Sequence, residues 1–191
     1  MQTVGDMAVQ ENSERSEKAG VKMKKPQIHK SAFLADGAKV IGDVTIGENS
    51  SVWYNAVIRG DSNSIVIGEG TDIQDGAILH VDADSPLEIG NGVVIGHGAI
   101  VHGCVIGDDT MIGMGAIILS GARIGKGCLI GAGSLVTGKQ SVPDGVMAIG
   151  SPAKVIRELT EEEKHGIRES AVEYVETAKQ HQELAEEQDK V

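Results

Sequence analysis

The chain has 191 residues, 40% of them hydrophobic and 24% charged, with a formal net charge of −11. That excess of carboxylates argues against a nucleic-acid or anionic-membrane partner, because phosphate is bound by clustered Lys and Arg, and no apolar run is long enough to span a bilayer. Aromatic residues make up only 2% while glycine reaches 26 residues, so a broad, irregular core is a poor match and a narrow one of stacked aliphatics a good one.

The first 25 residues, MQTVGDMAVQENSERSEKAGVKMKK, are polar and aperiodic. They lack the apolar stretch and cleavage pattern of a secretory signal and are expected to be a disordered tail on a cytoplasmic protein. A repeat then begins. Aliphatic residues recur every six positions from Ile28 to Ile58, through Ile67, Ile73 and Leu79, through Ile89, Ile95 and Val101, and from Ile106 to Val136, eighteen rungs in all. The spacing breaks at Ile58 to Ile67, at Leu79 to Ile89 and at Val101 to Ile106. The two long gaps predict projecting loops, and the short one a local slip. Two residues before the rungs stand mostly small side chains, Cys104 and Cys128 among them, read as reduced core residues. Glycine follows many rungs directly, where a tight corner is expected to tolerate it.

One large and one small inward residue every six positions fits a triangular β-solenoid with three rungs per coil. The domain 26–158 is therefore expected to be all-β, with about six coils stacked ~4.8 Å apart. Its end, residues 137–157 with Pro143 and Pro152, reads as a returning strand or loop. The segment 159–191 opens on a capping box, Thr160 to Glu163, and predicts a C-terminal helix reaching about Glu187. Its stripe of Ile167, Ala171, Tyr174, Val175 and Ala178 must pack on something, most simply the flank of the solenoid.

Histidine carries the chemistry. His80 follows rung Leu79 and His102 follows rung Val101, one full coil later, so both imidazoles point outward from one face about one strand spacing apart. Two ligands at ~2.1 Å from a tetrahedral centre are only about 3.4 Å from each other, so this pair can share an ion. A catalytic zinc site takes three protein ligands. The third candidate, His97, lies on the preceding face, roughly 16 Å of extended chain from His102. A neighbouring subunit could supply it, which points to a symmetric oligomer with one metal per interface. Arg59 stands one coil below His80 in the same column, Asp61 completes Arg59-Gly60-Asp61, and Gln74 and Asp75 lie one coil before His97. His29, His165 and His181 read as ordinary surface residues. Trp53 and Tyr54, on the face of Gln74, read as interface packing or as pocket lining.

Three stretches, Ala56-Val57-Ile58-Arg59-Gly60-Asp61, Asp72-Ile73-Gln74-Asp75-Gly76 with Leu79-His80, and Ile95-Gly96-His97-Gly98-Ala99 with Val101-His102-Gly103-Cys104, occur in this order. Together they resemble the signature of the γ-class carbonic anhydrases, hexapeptide-repeat proteins, over roughly residues 26 to 158. The resemblance implies a left-handed parallel β-helix and a homotrimer in which His80 and His102 of one subunit and His97 of the next bind zinc. It implies that Arg59, Asp61 and Asp75 form ion pairs organising the interface, and that the metal-bound hydroxide converts carbon dioxide to bicarbonate. Gln74 either orients that hydroxide or satisfies a buried polar contact. Three-histidine sites also accept ferrous iron or cobalt. Two departures stand out. Ser62-Asn63-Ser64 occupies the place of the prototype's glutamate-bearing loop, leaving Asp82 and Asp84 as candidates for proton export, and Asp72 stands where the prototype has Asn. The competing functions are a hexapeptide acyltransferase, an acyl-coenzyme A thioesterase on the same fold, and a non-catalytic metal-binding assembly subunit.

Overall fold

A computed structural model describes residues 23–188. The expectation of a disordered tail falls, as far as residue 22, outside the described residues. From Gln27 to Gly150 the chain winds as a left-handed parallel β-helix of about seven turns. Parallel crossovers are normally right-handed because a helix packs back on the sheet, and here no helix intervenes.

The three faces follow from the six-residue period. The first carries Ile78–His80, Ile100–His102, Ile117–Ile118 and Leu135–Val136, and the second Leu87–Ile89, Val105–Ile106, Arg123–Ile124 and Ser141–Val142. Val57–Ile67 runs unbroken around the corner between them, pairing with Ile78–His80 at its start and Leu87–Ile89 at its end. The first long gap is thus a bent strand, and only the second is a projecting loop. The third face stacks Phe33–Leu34, Ser51–Val52, Asp72–Ile73, Val94–Ile95, Met111–Ile112, Leu129–Ile130 and Val146–Gly150. The repeat continues two rungs past Val136, through Val142 and Ala148, before Ala153–Glu158 returns antiparallel and ends that sheet.

Rung side chains fill the axis. Ile58, Ile73, Leu79, Ile95, Ile112, Ile118 and Ile130 are fully buried, each contributing about 1.5–3 kcal/mol by leaving water. The small inward column holds hydroxyls that bond to corner carbonyls: Ser50 Oγ donates to Gly68 O at 2.7 Å, Thr71 Oγ1 to Gly90 O at 2.8 Å and Thr110 Oγ1 to Gly125 O at 2.8 Å. The glycines after the rungs have a different reason from the one expected. A Cβ on Gly47 would lie 2.6 Å from the Gly68 carbonyl, so glycine there permits close stacking of corners, while the left-handed φ falls to neighbours such as Asn55 (φ 59°).

Helix α1 (Glu161–Gln188) starts where the capping box places it, with Thr160 N–H donating to Glu163 Oε2 at 2.9 Å and Glu163 N–H to Thr160 Oγ1 at 3.2 Å. Ile167, Ala171 and Ala178 are buried against the first strands of the third face. Trp53, expected at an interface or in a pocket, is buried instead beneath this helix. Its ring packs edge-on against Phe33, Tyr174 and His181 at centroid distances of 5.3, 5.5 and 5.1 Å. His181, expected to be an ordinary surface residue, also bonds through Nδ1 to the Tyr54 hydroxyl at 2.9 Å.

Candidate metal centre

Parallel pairing puts Arg59, His80 and His102 in register on the first face, because each follows its rung directly and the rungs are one coil apart. His80 Nδ1 and His102 Nε2 are 2.9 Å apart. The outer nitrogens are occupied: His80 Nε2 bonds to Asp61 Oδ1 at 3.0 Å, and His102 Nδ1 to Ser120 Oγ at 2.8 Å. Asp61 also pairs with Arg59. The His80 hydrogen bond, then the Arg59 guanidinium, hold the Asp61 carboxyl down at about 2.

A carboxylate can only accept, so His80 carries its proton on Nε2 and turns a bare Nδ1 toward His102. A hydrogen on His102 Nδ1, given to Ser120 Oγ, would leave its Nε2 bare toward His80 as well. Two lone pairs this close repel unless a proton or cation lies between them. The donor types suit a borderline-soft divalent ion, with carboxylate and hydroxyl partners on the outer nitrogens, and the 2.9 Å separation must open toward about 3.4 Å for both rings to bind it.

His97 sits elsewhere, at the end of the third face. Its Nδ1 is 2.9 Å from Asp75 Oδ2, and its backbone N–H donates to Gln74 Oε1 at 3.1 Å. That bond sets the orientation of the Gln74 amide, whose Nε2 donates to Asp72 Oδ2 at 2.9 Å. Asp72 is 1% exposed and accepts at Oδ1 from Ser51 at 3.3 Å; Ser51 in turn accepts from Trp53 Nε1 at 3.0 Å. Burial pushes the Asp72 carboxyl up to about 7 against the pull of these hydrogen bonds. Beside this chain of bonds opens a groove of about 320 Å³, lined in part by Gln74, His97, Met111, Met114, Ser170 and Tyr174.

One chain thus gathers Arg59, Asp61, His80 and His102 on one face and Gln74, Asp75 and His97 on another. Among the described residues it holds no group of three or more His, Cys, Asp or Glu side chains arranged around one ion. Ser51, Ser120 and the network about Asp72 escaped the reading from sequence. The coil count supplies the signal for Ser120, which stands just past rung Ile118, one coil above His102.

The hexapeptide repeat is matched directly: the family described as bacterial transferase hexapeptide (six repeats) covers residues 25–60 and 103–138. The protein named "Probable carbonic anhydrase" in Methanocaldococcus jannaschii is 50% identical over 148 residues, 78% of this chain and 93% of that protein. Gamma carbonic anhydrase 1 of Arabidopsis thaliana, a mitochondrial protein, is 44% identical over 164 residues, 83% of this chain and 60% of its own length. The chain belongs to the γ-class carbonic anhydrase family. Among solved structures, a Bacillus cereus protein described as a candidate acetyltransferase superposes with a TM-score of 0.83 at 46% identity. The match covers 84% of this chain and 94% of that one. That description and the carbonic anhydrase names sit on one fold, so the γ-class assignment leaves the chemistry to the site residues.

Proposed function

We propose that this protein is a carbonic anhydrase, a lyase that hydrates carbon dioxide to bicarbonate at a zinc-class metal held between the subunits of a homotrimer. The observation that carries the reading is the facing pair of imidazole nitrogens of His80 and His102, 2.9 Å apart, with both outer nitrogens already committed. These two rings hold the ion from one subunit, and His97 of the neighbouring copy completes the set. When bound, a divalent ion supplies Lewis acidity that makes water available as hydroxide near pH ~7.

The chain's own residues do the rest. With its Oε1 taken by the His97 backbone and one Nε2 hydrogen given to Asp72, Gln74 retains a single N–H to orient a reacting oxygen. Asp61 fixes His80, and Arg59 fixes Asp61. Asp75 steadies the His97 ring. No side chain is needed as nucleophile. An acyltransferase would leave the facing histidines unexplained, since it uses one histidine as a general base. A cytoplasmic location belongs to the same proposal, supported by two buried, unpaired thiols, Cys104 and Cys128, which suit a reducing compartment.

The test is carbon dioxide hydration by anaerobically purified protein, with metal counted per chain and oligomeric state measured, alongside His102→Ala. The expected result is a trimer with about one metal per chain and hydration that the variant lacks. Full metal occupancy with no hydration above the variant would favour the thioesterase or assembly role, and a monomer would remove the site altogether.

A further inference from the structure

Ser120 has entered only as the partner of the His102 outer nitrogen, and Asp82 only as an exit for protons. Ser120 stands at a corner just above His102, and Asp82 in the loop between rungs Leu79 and Ile89. Ser120 Oγ lies 2.6 Å from Asp82 Oδ2 and 2.8 Å from His102 Nδ1. The Asp82 carboxylate can only accept, so the single hydroxyl hydrogen of Ser120 goes to it. The Ser120 oxygen can then only accept from His102, which must carry its hydrogen on Nδ1. Asp82 does not reach the ring itself, because its Oδ2 is 3.6 Å from His102 Nδ1, beyond a hydrogen bond.

We propose that Ser120 and Asp82 are positioning residues for His102: they fix its Nδ1–H tautomer and ring angle so that Nε2 is presented, bare, to a divalent cation. The proposal rests on the metal reading above and adds to it two residues that touch neither metal nor substrate. The surroundings are built to hold the pair. Asn63 Nδ2 donates to the carbonyls of Asp82 at 3.3 Å and Ala83 at 3.0 Å, and Ser85 N–H returns to the Asp82 carbonyl at 3.1 Å. Gly121 N–H donates to Gly103 O at 2.8 Å, anchoring the corner that carries Ser120. Gly103 leaves the space: a Cβ there would lie 2.8 Å from Ser85 O and 3.2 Å from Ser120 Oγ. The ten-residue step from Leu79 to Ile89 therefore has a task, which is to carry a carboxylate past the coil of His102 to Ser120 on the one above it.

The full-length protein, labelled with ¹⁵N-histidine and stripped of metal, reports the tautomer directly by NMR. Competition with a chromophoric chelator gives the zinc affinity. In the parent protein His102 is expected as the Nδ1–H form. Ser120→Ala should raise the Nε2–H form and weaken zinc binding ~10–100-fold, the usual effect of removing a ligand's outer partner. Ser120→Thr should restore both, and Asp82→Ala should move both in the same direction as Ser120→Ala. Unchanged tautomer and affinity in Ser120→Ala would overturn this proposal alone. A loss of affinity with the tautomer unmoved and no rescue by Thr would make Ser120 merely structural, overturning it as well. A parent protein that binds no zinc would overturn the metal reading and this proposal with it.

Discussion

Replacing Asp72 with Asn should change how the stability of the fold depends on pH. Asp72 is 1% exposed, and its carboxyl is pushed from the ordinary 3.8 up to about 7 by burial. Between about pH 4 and 7 the folded protein keeps a proton that the unfolded chain has released. Stability from this group is therefore complete below pH 4, declines through that window and is gone above 7. A rise from 3.8 to about 7 corresponds to roughly 4 kcal/mol. The amide of Asp72→Asn can still accept from Gln74 and can donate to Ser51 in place of accepting from it. The network survives, and the charge does not. The carboxyls of Asp61 and Glu163, both lowered to about 2, act with the opposite sign, from about pH 3.8 and 4.5 downward, and they are the same in parent and variant. Guanidinium denaturation at pH 4.5, 6 and 8, followed by the fluorescence of the single tryptophan, should show the Asp72→Asn variant gaining on the parent as pH rises, by roughly 3 kcal/mol across this range. Parallel stability profiles across this window would refute the account of Asp72 as a buried, strained carboxylate.

Gly42→Ala should prevent folding or lower stability by more than about 3 kcal/mol, because the new Cβ would lie 2.1 Å from Gly60 O at a φ of 85°. Gly127→Ala, with φ 58° and nothing within 4 Å, should cost only ~1–2 kcal/mol; soluble yield and thermal melting separate the two. Ile118→Ala empties a fully buried position on the axis and should cost about 2–5 kcal/mol in urea denaturation. The neighbouring Ile117→Ala, outward and 36% exposed, should cost less than about 1 kcal/mol. Thr160→Ala removes one half of the capping box and should lower stability by about 1 kcal/mol, read as a melting shift of a few degrees.

The solenoid could be read in advance because every rung meets the same surroundings, so a period of six carries both the register and the inward face. His80, His102 and Arg59 came with it, since their column is fixed by counting coils. The last rungs did not, as Val142 is followed by Pro143 and the next inward residue is only Ala148, which blur the pattern. The bend between Arg59 and Ile65 was invisible because one strand crosses two faces there. Contacts between distant segments were hidden for a plainer reason: Ser120 meets Asp82 across 38 residues and Tyr54 meets His181 across 127. His181 nevertheless had a signal, since Ile167, Ala171, Tyr174, Ala178 and His181 step by four, three, four and three, the phase of one helix face. Asp72 gave none. Its neighbours Ser51, Trp53 and Gln74 come from two successive coils, and only their packing shows that the carboxyl is shut away from water.

In a stack of coils each turn touches only the one above and the one below, which favours unravelling from either end. Helix α1 breaks that locality. Leaving the final coil, it lies back along the third face to the strands near Phe33 and Ser51, so the segment that follows the solenoid is clamped onto its first turns. Loosening either end of the stack must disturb the other, and a molecule assembled from near-identical layers is tied into one cooperative unit.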